Sequence, residues 1–161
     1  MEAVTGSVIA VLGTLFGAAL THRFQRRATA DAVRFARDEQ LRQERLDAYA
    51  RYGGALMNYR RSVMNHWLAQ QERRSDEVQE ALTQESYRQR TAAQEAMFRV
   101  ELLSDDPVLI EAGRDALERM SAIRQARSGE DFTQRRNATH ALIYEFITSS
   151  KAQLSGRDSR T

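Results

Sequence analysis

The side chains best suited to metal or acid–base chemistry in this chain are its three histidines, His22, His66 and His140. A carboxylate-bridged metal site in a helical bundle needs a glutamate three residues before a histidine. That position holds Val63 before His66 and Asn137 before His140. The chain has no cysteine, and it lacks the zinc-protease, phosphate-loop and nucleophile-elbow motifs. The sequence therefore predicts no catalytic residues, no metal site, no cofactor and no enzymatic activity.

A second candidate for binding chemistry is the aromatic series around His66. Tyr52, Tyr59 and Trp67 follow one another at roughly helical spacing, and His66 stands next to the tryptophan. The rings would suit a binding stripe, and the histidine a ligand or a proton switch. The simpler interpretation places the aromatic rings in a core or at its rim and the histidine at the edge of a bundle. We expect the simpler one.

The longest uncharged stretch is Ala3 to Leu20, and the next seven residues include Arg23, Arg26 and Arg27. A helix of this length covers about 27 Å, close to the roughly 30 Å of a bilayer's hydrocarbon core. A soluble core helix would normally carry a polar stripe, which is absent here. A cleaved signal peptide would begin with basic residues and end at small ones. The stretch therefore predicts a single transmembrane helix.

The three arginines predict the orientation of that span. Basic residues beside a span stay on the cytoplasmic side, and Arg23, Arg26 and Arg27 all follow it. The N-terminus is therefore expected outside and the C-terminal domain inside, at the cytoplasmic membrane. The same arginines would also attract anionic lipid headgroups.

One face of the predicted span is built of small residues. Gly6, Ala10, Gly13 and Gly17 recur at spacings of 4, 3 and 4, and the last two form a GxxxG pair. Small residues let two helices approach closely in lipid, so this face is a candidate for helix packing and homo-oligomer formation. Glycine and alanine are also common in spans that do not self-associate.

The remaining composition is that of a solvated helical protein. The chain of 161 residues contains 24 basic residues, of which only Lys151 is a lysine, and 22 acidic ones, giving a net charge of +2. The two signs are interspersed, as on a salt-bridged helical surface, so we expect no nucleic-acid partner. The one proline is Pro107, and no strand-like alternation occurs. The class is therefore predicted to be all-α.

Local signals divide the rest into helices. Arg26 to Arg45 is almost wholly polar and predicts a helical stalk, either a single helix or a coiled coil. Breaks near Gln71–Ser75, at Ser104–Pro107 and at Arg127–Gly129 then separate four bundle helices. Because the connections are short, successive helices should be antiparallel.

The first bundle helix carries an a/d-type seam with one charged member. The seam runs through Leu46, Tyr49, Gly53, Leu56, Arg60, Val63 and Trp67, and we expect Met57, Met64 and Leu68 to widen it. The Gly53–Gly54 pair predicts a close helix crossing rather than a kink. Arg60 would be costly there if unpaired. It should reach the rim, meet an acid such as Glu95 or Glu145, or line a polar groove.

The predicted organisation has four parts. Residues 1–21 form a transmembrane anchor, 22–45 a juxtamembrane stalk, 46–154 an antiparallel up-down bundle of about four helices, and 155–161 a polar tail.

Three phrases carry a resemblance: TGSVIAVLGTLFGAALTHRFQRR, FARDEQLRQERLDAYARYGGAL and VELLSDDPVLIEAGRDAL. With them the chain resembles small, single-span, arginine-rich helical proteins of actinobacteria, over most of its length. The resemblance contains no catalytic motif and implies no specific activity.

The functional hypothesis is a non-catalytic interaction or scaffolding module, anchored in the membrane. Its expected partners are the lipid bilayer and an unknown cytoplasmic protein, and further copies of the chain are a candidate partner. The alternative is a membrane-active oligomer, holin-like or pore-like, assembled through the glycine face.

Overall fold

The computed structural model describes the backbone of residues 2–156 and the side chains of residues 25, 29 and 31–155. The α-helices are α1 (Glu2–Gln71), α2 (Asp76–Leu103), α3 (Pro107–Met120) and α4 (Gly129–Gly156), and a 3-10 helix, Ser121–Gln125, follows α3. No strand occurs in this part of the chain, which confirms the predicted all-α class with four α-helices.

The chain divides into two compact units, Met1–Leu41 and Arg42–Thr161. In the first unit, all side chains from residue 31 to residue 40 are exposed, including Phe35 at 74% and Val33 at 59%. This agrees with a polar helix that has no core of its own.

Among the residues that the structure describes, no helix is long and apolar enough to cross a membrane. The predicted span, its glycine face (Gly6, Ala10, Gly13, Gly17) and its arginines (Arg23, Arg26, Arg27) lie outside the residues with described side chains. The transmembrane anchor and its orientation therefore stay predictions.

The second unit is an up-down bundle. Contacts between α1 and α4 run in opposite directions along the two helices, from Tyr49 with Gln153 to Trp67 with Phe132. The same is true of α1 and α2, where Arg45 bonds the carbonyl of Leu103 and His66 lies beside Thr83. Antiparallel neighbours are thus confirmed for these helices.

Helix α3 runs parallel to α1 across the interior. Tyr52 of α1 reaches Gly113, and Trp67 reaches Ala126 just after the 3-10 helix. Helix α3 also packs against both α2 and α4. Consecutive helices therefore touch, and α4 closes the ring onto α1.

The predicted helix boundaries follow from local capping. Asp106 accepts hydrogen bonds from the amides of Val108 and Leu109 at 2.9 and 3.3 Å, with Pro107 in the first turn. At the start of α4, the Asp131 amide donates to Ser128 Oγ, and the Asp131 carboxylate accepts from the Arg127 amide. The third helix differs from expectation, because it tightens into 3-10 turns from Ser121, a common way for a helix to end.

The core consists of large aromatic and aliphatic side chains from all four helices, and its centre includes Tyr52, Tyr59, Phe146 and Leu109. The sequence-predicted core face of α1 is partly wrong. Three of its aliphatic members, Leu46, Met57 and Leu68, are 45%, 37% and 41% exposed. The seam itself is buried as predicted at Tyr49, Leu56, Val63 and Trp67. The helix also buries the adjacent face, which carries Ala48, Tyr52, Tyr59, Ser62 and His66.

Helix α4 shows a similar shift. The apolar side chains of Tyr144 and Ile147 are 58% and 40% exposed, whereas Thr139 and Ser150 are buried. Both hydroxyls donate to carbonyl oxygens one turn back, Thr139 to Arg135 and Ser150 to Phe146. A hydroxyl satisfied by its own helix can be buried at low cost, which periodicity of apolar residues does not reveal.

Candidate interaction surfaces

The aromatic series on α1 lies in the core. The Tyr52 hydroxyl donates to the Gly113 carbonyl at 2.7 Å, and burial raises the pKa of this phenol. The Trp67 indole N–H donates to the Ala126 carbonyl at 3.0 Å, while its ring stacks on Phe132 at 4.1 Å. The simpler interpretation of these aromatics is confirmed, since their polar ends bind backbone within the bundle.

His66 belongs to the same buried face. It is 8% exposed, and its Nε2 lies 3.3 Å from the Thr83 hydroxyl. Nδ1 is buried without a hydrogen-bond partner in the described chain. Burial, with a smaller contribution from the Arg124 charge, lowers the pKa of the imidazole. No three His, Cys, Asp or Glu side chains among the described residues are grouped so that they would hold a metal ion.

Arg60 forms hydrogen bonds to the backbone of α4. Its guanidinium donates to the Arg136 carbonyl, through Nη2 at 2.9 Å and Nε at 3.3 Å, and lies 3.4 Å from the Thr139 hydroxyl. Burial lowers the pKa of the guanidinium, and Arg136 lowers it further. The partner is thus the backbone of α4, and neither Glu95 nor Glu145 forms an ion pair with it in the described bundle. Arg60 ties α1 to α4 from the edge of the seam.

The paired basic dipeptides, Arg60–Arg61 and Arg135–Arg136, do not form one free patch. Arg135 pairs with Asp131 at 2.6 Å and also donates to the Ala122 carbonyl. Arg60 is bound to the backbone, whereas Arg61 is exposed. Arg60 and Arg135 therefore stabilise the fold through contacts within the bundle.

Between α1 and α4 the bundle surface opens into an apolar groove of about 240 Å³. Its lining consists of Ala50, Gly53, Gly54, Met57, Ile143, Tyr144 and Ile147. We call this set the glycine groove. A Cβ on Gly53 would lie 2.8 Å from Ile147 Cδ1, which confirms a close approach of α4 at that glycine. A Cβ on Gly54 would meet nothing within 4 Å, so this glycine leaves the floor of the groove open.

The charges around the glycine groove are mainly basic. Residues three or four positions apart share a helix face. The charged residues three or four positions from the lining residues include one acid, Asp47, and His140. The four cations at these positions are Arg51, Arg60, Arg61 and Lys151. The His140 ring packs on Tyr144 at 4.6 Å. The groove is therefore apolar at its floor and positive at its rim.

A second apolar feature lies where α2 passes into α3. Leu102 is 85% exposed and Val108 71% exposed, the highest values among the large hydrophobic side chains of the second unit. Residues 101–111 contain four carboxylates and no basic residue. We call this segment the acidic corner. Of its acids, Asp106 caps α3 and Glu101 pairs with Arg114 at 2.8 Å.

Sequence reasoning singled out Gly53 and Gly54 and assigned Met57 to the core face, but it did not predict the groove. One signal was available. On α1 the apolar stripe from Leu46 to Leu68 covers more of the helix circumference than a single buried face needs. An apolar stripe too wide for one core predicts a second, exposed apolar face.

Comparison with known proteins gives one result. A family model described as KilB plasmid transfer protein matches residues 46–154, more than half of the chain. The match covers the whole of α2, α3 and the 3-10 helix and includes both the glycine groove and the acidic corner. No curated protein and no solved structure is significantly similar to the chain.

Proposed function

Because the chain belongs to the KilB plasmid transfer protein family, we propose that it serves plasmid transfer as a membrane-anchored interaction module without catalytic activity. The bundle faces the cytoplasm and binds other proteins there, while the N-terminal stretch holds it at the membrane. Contact with the plasmid DNA itself is left to other components, since acidic and basic residues alternate over this chain.

The observation that carries the interaction role is the glycine groove. A packed bundle has no structural need for Met57, Tyr144 and Ile147 to remain 37%, 58% and 40% exposed beside an open glycine. Contiguous exposed apolar surface with a charged rim is typical of protein–protein contact sites. The groove suits a protein ligand that presents an apolar side chain among acidic residues.

The anchoring role is supported by sequence. The uncharged stretch from Ala3 to Leu20, followed by Arg23, Arg26 and Arg27, has the composition of a short span with a cytoplasmic basic stop. Protease added to intact spheroplasts should therefore leave the bundle undigested. Digestion of the C-terminal domain from outside would contradict this orientation.

The decisive experiment measures plasmid transfer frequency in cells that carry one of three forms of the chain. Deletion of residues 2–21 should release the protein from carbonate-washed membranes and reduce transfer strongly. Replacement of those residues by an unrelated span of the same orientation should restore both membrane association and transfer. Wild-type transfer by a soluble deletion variant would overturn the anchored-module proposal.

A membrane-active oligomer is the second candidate, favoured by the spacing of Gly6, Ala10, Gly13 and Gly17. It predicts the opposite result for the unrelated span, which would lack the small-residue face and fail to restore transfer. It also predicts that the purified protein releases dye from lipid vesicles and that Gly13→Leu abolishes this release. Transfer restored by the unrelated span would exclude it.

A further inference from the structure

The bundle carries two exposed apolar surfaces whose charges are opposite. By helical spacing, the glycine groove has a basic rim that includes Arg61 and Lys151. The acidic corner has four carboxylates, of which Glu101 pairs with Arg114 and Asp105 with Arg45. Each surface contains apolar side chains that remain exposed in the single chain. The groove suits an apolar side chain flanked by acidic residues, and the corner presents such a side chain.

The shapes of the two surfaces also correspond. The groove is concave and is floored by Gly53 and Gly54, where α1 has no side chain. The corner is convex, because Leu102 lies in the last turn of α2, Val108 lies in the first turn of α3 and only residues 104–106 connect the helices. Leu102 is 85% exposed, so nearly its whole side chain is available for burial. A leucine side chain is small enough for a groove of about 240 Å³.

The two surfaces do not cover each other within one chain. Leu102 and Val108 remain 85% and 71% exposed, and the groove remains open. The residues between them, 103–105, are held against Arg45 of α1 and Gln153 of α4. A contact between groove and corner must join two copies, and because the surfaces differ it is heterologous. Such a contact forms open chains unless the rotation between copies closes a ring.

We infer that the partner of the glycine groove is the acidic corner of a second copy, so that the chain self-associates head to tail. Leu102 and Val108 of one copy cover the apolar floor of the next, and Glu111 faces the basic rim that includes Arg61 and Lys151. This inference rests on the proposed function, since it names a partner of the interaction module. It adds that the module assembles at the membrane as a row or ring.

Two single substitutions separate the two surfaces without touching the core. Gly54→Glu places an acid on the open floor of the groove, where a new Cβ meets nothing within 4 Å. Leu102→Glu removes the projecting apolar side chain from a site that is 85% exposed. Both positions are helical and glutamate is a good helix former, so circular dichroism should show an unchanged helix content for both variants.

The test is the molar mass of the full-length protein in mild detergent, measured by light scattering over a range of concentrations. The wild type should form species beyond the dimer, and higher salt should weaken them because the rims attract by charge. Each variant alone should remain monomeric at concentrations about tenfold above those at which the wild type assembles, because like charges then face each other.

Mixing the variants gives the sharpest result. The Gly54→Glu chain keeps an intact corner and the Leu102→Glu chain an intact groove, so an equimolar mixture should form a 1:1 dimer and nothing larger. A two-fold groove-to-groove dimer would not be restored in this way. A monomeric wild type, a wild type that stops at the dimer, or a mixture that stays monomeric would overturn the inference.

Failure of this inference is distinguishable from failure of the proposed function. A Gly54→Glu chain that stays in the membrane fraction and supports transfer as the wild type does would refute head-to-tail assembly and leave the anchored module intact. Loss of membrane association by the wild type would refute the anchor and not the groove.

Discussion

Helix α1 has two apolar faces, an inner one buried in the bundle and an outer one exposed to solvent. They differ in whether their side chains carry polar groups. On the inner face, Tyr52 and Trp67 each place a polar group against a backbone carbonyl of a neighbouring segment. On the outer face, Leu46, Met57 and Leu68 have no polar group to satisfy and are 37% to 45% exposed. Both faces are apolar, so hydrophobicity does not separate core from surface here. For Tyr52 and Trp67, burial depends on the paired hydroxyl and indole N–H, because an unpaired buried donor is costly.

Helix α4 also has a buried and an exposed face, and the largest difference in stability is expected between two of its aromatic side chains. Phe146 is fully buried, with its ring edge-on to Tyr52 at 4.9 Å and to Tyr49 at 6.3 Å. Phe146→Ala should lower the free energy of unfolding by about 3–5 kcal/mol, through lost burial and the cavity it leaves. The matched control is Tyr144→Ala on the outer face, with an expected change within about 0.5 kcal/mol. Chemical denaturation followed by circular dichroism measures both, and equal losses would contradict the assignment of the faces.

The difference between the core and the exposed groove can also be tested by adding a side chain at a glycine in each place. A Cβ on Gly113 would lie 2.8 Å from Met97 Sδ and 3.3 Å from Tyr52 Cε1. Gly113→Leu should therefore overpack the core and cost about 1–3 kcal/mol. Gly54→Leu enters open space and should be neutral or stabilising by up to about 1 kcal/mol, because leucine favours a helix more than glycine does. A destabilised Gly54→Leu chain would mean that the groove is filled in the folded protein.

The sequence predicted the helices well because their boundaries depend on local chemistry. Asp106 with Pro107, and Ser128 with Asp131, satisfy free amides within a few residues, wherever the rest of the chain lies. The core register was harder, since burial depends on contacts between distant residues. Thr139 and Ser150 are buried because their hydroxyls bond their own helix, and a hydrophobic period does not include them.

The candidate surfaces illustrate the same limit. The glycine pair and the width of the α1 stripe were visible in the sequence, but which part of the stripe is covered depends on how α4 crosses it. The Arg60 interaction is of this kind too. Its partner is the Arg136 carbonyl, a backbone atom that any residue would supply and that no residue pattern reveals.

A smaller effect is expected where two neighbouring carboxylates point in different directions. Asp106 caps α3 through the amides of Val108 and Leu109, whereas the Asp105 side chain is 89% exposed and lies 3.9 Å from Arg45. Asp106→Ala should cost about 1 kcal/mol, in line with other N-caps. The control Asp105→Ala removes an exposed carboxylate while the buried Arg45 keeps its hydrogen bond to the Leu103 carbonyl, so it should cost less than about 0.5 kcal/mol. Equal losses from the two would show that the cap contributes nothing beyond the charge.

The smallest expected difference in stability is between variants of the buried His66 and the exposed His140, and it appears only below neutral pH. Burial and Arg124 lower the pKa of His66, whose other neighbour across the interface is Thr83 of α2. Above the ordinary value of 6.5 the imidazole is neutral in both states, so it does not affect stability. As the pH falls below 6.5, the unfolded chain binds the proton first and the free energy of unfolding declines, until the pH passes the folded-state pKa. His66→Gln should remove this part of the decline, measured by denaturation between about pH 7 and pH 4. His140→Gln, at an exposed site on α4, is the matched control. Identical pH profiles for the two variants would show that water reaches the His66 imidazole in the folded bundle.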